Sequence, residues 1–190
     1  MADNNLEGLK VAILVTDGFE QVELTKPREA LEGAGATTHI LSDKSGQVLG
    51  MKHIDKADKF DVFGAIGDAN PDDYGALLLP GGVVNADALR IVPEAQEFVR
   101  AIAGADKPIA VICHGGWLLV SSELVDGKTM TSWPTLQDDI RNAGGNWVDQ
   151  EVCVDGLWVS SRKPDDIPAF NREMLKMFGQ RAKHHAEGAA

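Results

Sequence analysis

The chain has 190 residues, of which 44% are hydrophobic, and it carries a formal net charge of −11. This length suits one well-buried core but is short for two full domains. The acidic surface would repel nucleic acid and anionic membranes, so small molecules or other proteins are the expected partners. There is no secretory-signal pattern, no apolar run of membrane-spanning length, and only two cysteines. A cytoplasmic protein in a reducing compartment is therefore expected.

The hydrophobic pattern predicts a single domain over residues 10–180, with an N-terminal extension at 1–9 and a polar tail at 181–190. Nearly continuous apolar runs, typical of strands buried on both faces of a parallel sheet, cover residues 10–16, 76–79 and 109–112, and a further strand is predicted at 37–41. Helical spacing of apolar residues predicts helices at 22–31, 93–104, 134–143 and 166–179, and one beginning at 117. Asp155-Gly156 predicts a late hairpin. The expected fold is α/β, a three-layer sandwich with a mostly parallel, doubly wound (flavodoxin-like) sheet plus a late antiparallel hairpin.

The stretch 109–119 carries the strongest chemical signal. Its apolar strand stops abruptly at Cys113 and His114, two glycines follow, and then a helical pattern resumes, which indicates a strand, a sharp turn and a helix. A thiol at such a turn lies near the N–H groups of the following helix, and this placement favours the thiolate. The alternative is that Cys113 packs as a small hydrophobic side chain. Cys153, in an alternating strand pattern, is interpreted in that structural way.

Two other predicted strands end in residues that could act together with Cys113. Because the carboxyl ends of parallel strands meet at one edge of a sheet, Glu20, Gly81 and Gly82 are expected near the thiol. Glu20, kept protonated by burial, could hydrogen-bond the sulfur or pass a proton to a substrate. The N–H groups of Gly81, Gly82 and His114 could bind a developing oxyanion. A structural alternative remains for each, since an acid at a helix start complements the dipole and Pro-Gly-Gly forms turns.

Taken in order, these segments resemble the PfpI family of class I glutamine-amidotransferase-like proteins, which includes intracellular proteases, glyoxalases and protein deglycases. The resemblance covers residues 10–178 and is carried by DGFEQVEL (17–24), LLLPGG (77–82), AVICHGG (110–116), TSWP (131–134), DDIRNAGGNWVD (138–149) and DGLWVSSRKPDD (155–166). It implies a nucleophilic Cys113, Glu20 as the carboxyl beside it and His114 as the adjacent histidine. It also implies backbone donors at Gly81, Gly82 and His114, and a homo-oligomer, either a dimer or a hexamer. No metal or cofactor is expected.

One position departs from the protease-type pattern. Protease-type members carry a glutamate in the loop after Pro-Gly-Gly, which reaches a histidine of a neighbouring subunit and completes a Cys-His-Glu triad. The residue aligned with it here is Ala86, and Asp87, one place on, is the possible triad acid. The resemblance therefore leaves the triad incomplete unless Asp87 substitutes for the glutamate.

Three hypotheses follow for the function. The first is a cytoplasmic stress-response enzyme in which the Cys113 thiolate attacks a reactive carbonyl, such as methylglyoxal or its adducts on proteins, while Glu20 moves protons. The second is an intracellular cysteine peptidase that acts on peptides as a homo-oligomer, with His114 as base and Asp87 as the acid. The third is a non-enzymatic oxidation sensor or chaperone that uses the same cysteine.

Overall fold

The computed structural model describes the backbone of residues 5–188 and the side chains of residues 5–180. The strands are β1 (Lys10–Leu14), β2 (Phe19–Glu20), β3 (Thr37–Ser42), β4 (Gln47–Lys52), β5 (Asp55–Asp61), β6 (Gly64–Ala65), β7 (Ala76–Leu79), β8 (Ile109–Ile112), β9 (Thr129–Met130), β10 (Asn146–Trp147), β11 (Val152–Asp155) and β12 (Trp158–Ser161). The helices are α1 (Gln21–Gly33), α2 (Val83–Leu89), α3 (Pro93–Gly104), α4 (Gly116–Ser121), α5 (Gln137–Asn142) and α6 (Ile167–Gly188). The predicted α/β class is confirmed.

The central sheet has seven strands in the order β11-β12-β8-β7-β1-β3-β6. Every neighbouring pair is parallel except β11 and β12, which form the predicted late hairpin. All residues of β7 and β8 are buried, because helices cover both faces of the sheet. This burial explains why these strands read as continuous apolar runs in the sequence.

Two hydrophobic cores lie on opposite faces of the sheet. Helices α1 and α6 cover one face, where Leu24 and Phe170 are fully buried. Helices α3, α4 and α5 cover the other, where Phe98 and Leu119 pack against the strands. Each such side chain contributes about 1.5–3 kcal/mol by leaving water. The three layers predicted from the sequence are therefore present.

Helix α2 is absent from the predicted elements. It begins directly after Pro-Gly-Gly, and its first residues, Val83 and Val84, are exposed. Only Asn85, Ala86 and Leu89 are buried, and a segment of seven residues is too short to show a clear helical period. This short helix matters because it forms one wall of the candidate site.

The described structure continues beyond both ends of the predicted domain, residues 10–180. Leu6 is fully buried and its N–H donates to Ala34 O at 2.8 Å, so part of the 1–9 segment packs with the core. Helix α6 continues to Gly188 rather than ending near 179, since neither Gly nor Pro interrupts residues 180–187. Residues 1–4 and the side chains of the 181–190 tail lie outside the described residues. None of the helices in the described part of the chain has the length and apolar character needed to cross a membrane.

The three predicted strand ends do meet at one edge of the sheet. The carboxyl ends of β1, β7 and β8 are neighbours there, because these strands pair side by side and in parallel. A separate three-stranded sheet, β2-β4-β5, adds a hairpin at the same edge. Its tip, His53 and Ile54, approaches the loop that carries Cys113, and both tip residues line the same cavity as the thiol.

Candidate active site

Cys113 occupies a strained turn at the end of β8. Its φ of 61° lies in the left-handed region, which costs a residue other than glycine about 1–3 kcal/mol. The turn is a short 3-10 segment, Cys113–Gly115, that leads directly into α4. A hydrogen bond from Trp133 N–H to Cys113 O at 3.2 Å fastens the turn to the neighbouring loop. The sharp strand-turn-helix predicted from the sequence is confirmed.

The carboxyl group beside Cys113 belongs to Glu23, and the prediction that Glu20 lies there is wrong. Glu23 is fully buried, its Oε2 accepts a hydrogen bond from Gly81 N–H at 2.8 Å, and its carboxyl group interacts with the Cys113 thiol. Its Oε1 has no further hydrogen-bond partner among the described residues. Glu20 instead accepts a hydrogen bond from His53 N–H at 3.0 Å through Oε2.

The sequence does contain a signal that separates the two glutamates. Glu20 precedes α1, whereas Glu23, Pro27 and Leu31 recur every four residues and are all buried on the inner face of the helix. A charged residue on an apolar helix face is costly unless it has a partner or a role. The four-residue spacing of Leu31 and Pro27, continued one turn toward the N-terminus, reaches Glu23. This spacing therefore indicates Glu23, and not Glu20, as the buried acid.

The pKa values of Cys113 and Glu23 are both raised above their usual range. Burial raises the pKa of Glu23 from 4.5 to about 8. Burial also raises the pKa of the Cys113 thiol, and the nearby Glu23 carboxylate raises it further, whereas the N–H groups of His114 and Gly82 act in the opposite direction. The N–H groups at the start of the helix therefore favour the thiolate, as expected, but burial has the larger and opposite effect on the pKa of Cys113.

Two of the three predicted backbone donors face the sulfur. The N–H groups of Gly82 and His114 lie beside the Cys113 side chain and lower the pKa of its thiol. The N–H of Gly81 is unavailable, since it donates to Glu23. Gly82 and His114 therefore stay the predicted oxyanion donors, while Gly81 N–H binds the Glu23 carboxyl group.

Asn85 stabilises the loop that carries these donors, and no sequence pattern predicts this role. The side chain is buried, its Oδ1 accepts from Thr16 N–H at 2.7 Å, and its Nδ2 donates to Gly81 O at 3.0 Å. It therefore joins the ends of β1 and β7. Asn85 is a polar residue on α2, a helix that the hydrophobic pattern does not predict, so no periodic signal marks it.

Gly82→Ala should destabilise the protein far more than Gly156→Ala. Both glycines have positive φ, 87° and 58°, but an added Cβ at Gly82 would lie 2.5 Å from Glu20 N and Gly18 O, whereas at Gly156 it would meet open space. Gly156→Ala should cost about 1 kcal/mol for backbone strain, and Gly82→Ala about 2 kcal/mol more because backbone atoms must move. Urea denaturation of the two variants measures the difference, and equal losses would contradict this account of the turn.

His114 contacts the thiol but has no acidic partner in this chain. Its Nδ1 lies 3.3 Å from Cys113 Sγ, its ring stacks on Trp133 with centroids 5.7 Å apart, and burial lowers its pKa. No carboxylate hydrogen-bonds this ring among the described residues. Asp87 is exposed on α2 and does not line the cavity that contains Cys113. A complete Cys-His-acid triad is therefore not formed by residues 5–180 of one chain.

A cavity of about 280 Å³ opens above Cys113. Its walls are mostly apolar and come from the β4–β5 hairpin, from α2 and from the loops before α5 and α6; they include Met51, Ile54, Val83, Val84, Trp133 and Pro164. Its charged and titratable members are Glu20, Glu23, His53 and His114, and no lysine or arginine is among the lining residues. The cavity can hold a small molecule with its reacting atom against the sulfur.

The model of the DJ-1/PfpI family matches residues 9–177. The chain belongs to this family. It is 41% identical to a Bacillus subtilis protein named "Putative cysteine protease YraA", over 88% of this chain and 97% of that protein. It is also 41% identical to deglycase PYRAB04690 of Pyrococcus abyssi, over 89% of this chain and 99% of the deglycase.

Solved structures of the family share the fold. A two-domain protein from Anabaena variabilis, with DJ-1/ThiJ/PfpI-like and ferritin-like domains, superposes with a TM-score of 0.85 at 29% identity, covering 90% of this chain and 48% of that one. This chain therefore spans about half of the Anabaena protein. Schizosaccharomyces pombe DJ-1 superposes with a TM-score of 0.77 at 21% identity, over 93% of this chain and 98% of that chain. The resemblance stated from the sequence motifs is confirmed.

Proposed function

We propose that the protein is a cysteine-dependent enzyme that acts on small reactive carbonyl compounds of the α-oxoaldehyde type. The observation that carries this proposal is the buried Glu23 carboxyl group against Cys113, at the base of a cavity of about 280 Å³. A carboxyl group with a pKa of about 8 can both accept and return a proton near neutral pH. This is the proton transfer that addition of a thiol to a carbonyl requires.

In the first step the thiol adds to the aldehyde carbon. Glu23 in its carboxylate form takes the proton from Cys113 Sγ, the sulfur forms a bond to the carbonyl carbon, and the carbonyl π electrons move to oxygen. The N–H groups of Gly82 and His114 stabilise the resulting alkoxide. Glu23 then returns the proton to that oxygen, which gives a neutral hemithioacetal.

The second step moves hydrogen within the bound substrate. The hydrogen on the former aldehyde carbon leaves as a proton and a proton adds to the adjacent ketone carbon, while the hydroxyl proton of the hemithioacetal is transferred to the ketone oxygen. One carbon is thereby oxidised and the other reduced. The product is a thioester on Cys113, and water hydrolyses it to a 2-hydroxy acid and the free thiol. Glu23 and His114 are the titratable groups in contact with the sulfur, so they are the proposed proton carriers.

The relatives and the shape of the site both support this proposal. Two relatives are named deglycases, from Thermococcus kodakarensis at 38% identity and from Pyrococcus abyssi at 41%. The cavity suits a small carbonyl compound, because apolar side chains close its walls around the sulfur. No acid orients His114 within the described residues, which weakens the peptidase hypothesis for a single chain.

The test is methylglyoxal consumption by the wild-type protein, with the 2-hydroxy acid product, lactate, followed by proton NMR. In parallel, methylglyoxal should slow alkylation of Cys113 by iodoacetamide and leave alkylation of Cys153 unchanged, as peptide mass spectrometry would show. Lactate formation with selective protection of Cys113 is the expected result. Unchanged methylglyoxal, or equal protection of both cysteines, would refute the proposal.

A peptidase is the second candidate, and the contact between His114 Nδ1 and Cys113 Sγ at 3.3 Å favours it. It would require a neighbouring subunit to supply the acid, for which Asp87 of the partner is the proposed source. Cleavage of fluorogenic peptides by an oligomer, lost when the oligomer dissociates, would support it. Cleavage by a monomer, or no cleavage of any peptide by the oligomer, would contradict it.

A further inference from the structure

Glu20 presents a carboxylate to the cavity without a cationic partner. Its side chain is about nine-tenths buried, and it lines the same cavity as Cys113. Its Oε2 accepts the backbone N–H of His53, which fixes the group in place. Among the described residues, no lysine or arginine lies within ion-pair distance of Glu20, and none lines the cavity.

The two neighbouring acids, Glu23 and Asp17, have partners of a different kind from those of Glu20. Glu23 is held by Gly81 and the thiol, and Asp17 is paired with Lys44. Of these three acids, only Glu20 lines the cavity while its carboxylate is neither paired with a cation nor placed against Cys113. Because Ile54, Val83 and other apolar side chains border it, the charge acts through a medium of lower dielectric than water.

We propose that Glu20 is a specificity-determining residue, which selects carbonyl substrates that carry a positively charged nitrogen group close to the reacting carbon. The proposal rests on the carbonyl chemistry proposed above and names the substrate class of the same cavity. A bound cation would supply the partner that Glu20 lacks, while the carbonyl carbon lies against Cys113 Sγ. A neutral substrate would leave the carboxylate uncompensated, and an anionic one would be repelled.

The same carboxylate also fixes the wall opposite α2. By accepting the N–H of His53, a residue with φ of 58°, it holds the tip of the β4–β5 hairpin beside the cavity. Ile54 at that tip is 90% exposed, so few other contacts hold it. A test must therefore remove the charge of Glu20 and keep its hydrogen bond.

Glu20→Gln meets this requirement, since its amide oxygen can still accept the N–H of His53. The first measurement does not depend on catalysis: the rate at which Cys113 reacts with methanethiosulfonate reagents that carry either a trimethylammonium or a sulfonate group. Each reagent forms a mixed disulfide with Cys113 and releases methanesulfinate. The ratio of the cationic to the anionic rate should fall about tenfold in Glu20→Gln. The control is Glu97→Gln, which removes one charge from an exposed position on α3.

The second measurement uses two aldehydes of the same shape, trimethylammonioacetaldehyde and its neutral analogue 3,3-dimethylbutanal, as inhibitors of methylglyoxal consumption. Glu20→Gln should raise the inhibition constant of the charged aldehyde about tenfold relative to that of the neutral one. Differences in intrinsic reactivity cancel, because each aldehyde is compared between the two proteins.

These outcomes separate this proposal from the proposed function. If the wild-type protein does not consume methylglyoxal, the proposed carbonyl chemistry is refuted. The ratio of the cationic to the anionic labelling rate of Cys113 still tests the role of Glu20. An unchanged labelling ratio in Glu20→Gln, or an equal change in Glu97→Gln, would overturn the proposal.

Discussion

Cys113→Ser should lower kcat/KM for methylglyoxal by at least about 1,000-fold. The substitution keeps the size of the side chain, so the strained turn at φ 61° and the Trp133 hydrogen bond can persist. A hydroxyl group is a much weaker acid than a thiol, and a carboxyl group with a pKa of about 8 cannot deprotonate it to a useful extent. The nucleophile is therefore lost while the cavity remains.

Cys153→Ser is the matched control. Cys153 is also largely buried, but its Sγ faces Thr129 O at 3.5 Å and it does not line the cavity. Steady-state kinetics with purified proteins, after circular dichroism has shown that both variants are folded, give the comparison. Full activity in Cys113→Ser would eliminate the cysteine mechanism, and loss in both variants would indicate a structural effect.

Glu23→Gln should reduce kcat/KM about 100-fold, because the amide cannot accept the thiol proton. Its Oε1 can still accept Gly81 N–H, which in the wild type donates to Glu23 at 2.8 Å, so the loop geometry is retained. In the wild type, activity should rise with pH through about 8 as Glu23 becomes a carboxylate. This rise should be missing from the pH profile of Glu23→Gln, and an identical profile would show that another group is the base.

The raised pKa of Glu23 also predicts the direction in which the stability of the protein changes with pH. The unfolded chain releases the Glu23 proton near pH 4.5, whereas the folded protein retains it up to pH of about 8. Stabilisation from this proton is complete below pH 4.5 and is lost as the pH rises through about 8, so the free energy of unfolding falls across that window. The free energy of unfolding should fall by at most about 1.4 kcal/mol per pH unit from this group.

Urea denaturation between pH 5 and pH 8 measures this effect as the difference between the wild type and Glu23→Gln. The variant lacks the ionisable group, so the contribution of every other titrating residue cancels to first order. The wild type should lose stability relative to the variant as the pH rises. A constant difference would mean that Glu23 is not the buried acid described here.

The sequence by itself determined the class of fold and the sharp turn that carries Cys113. Strands β7 and β8 are buried on both faces, so their continuous apolar runs could be recognised without the structure. The Cys113 turn could be recognised because apolar residues end abruptly before two glycines. Local patterns of this kind are sufficient where the residues that define an element lie close together in the sequence.

Only the tertiary structure decided which groups lie around the thiol. Glu20 and Glu23 are both near the start of α1, and the choice depends on which one the helix turns toward β8 and the Gly81 loop. Gly81 N–H and the bracing by Asn85 depend on contacts between residues far apart in the chain. The pKa of Glu23 follows from its burial among these segments, a property that exists only once the layers have packed.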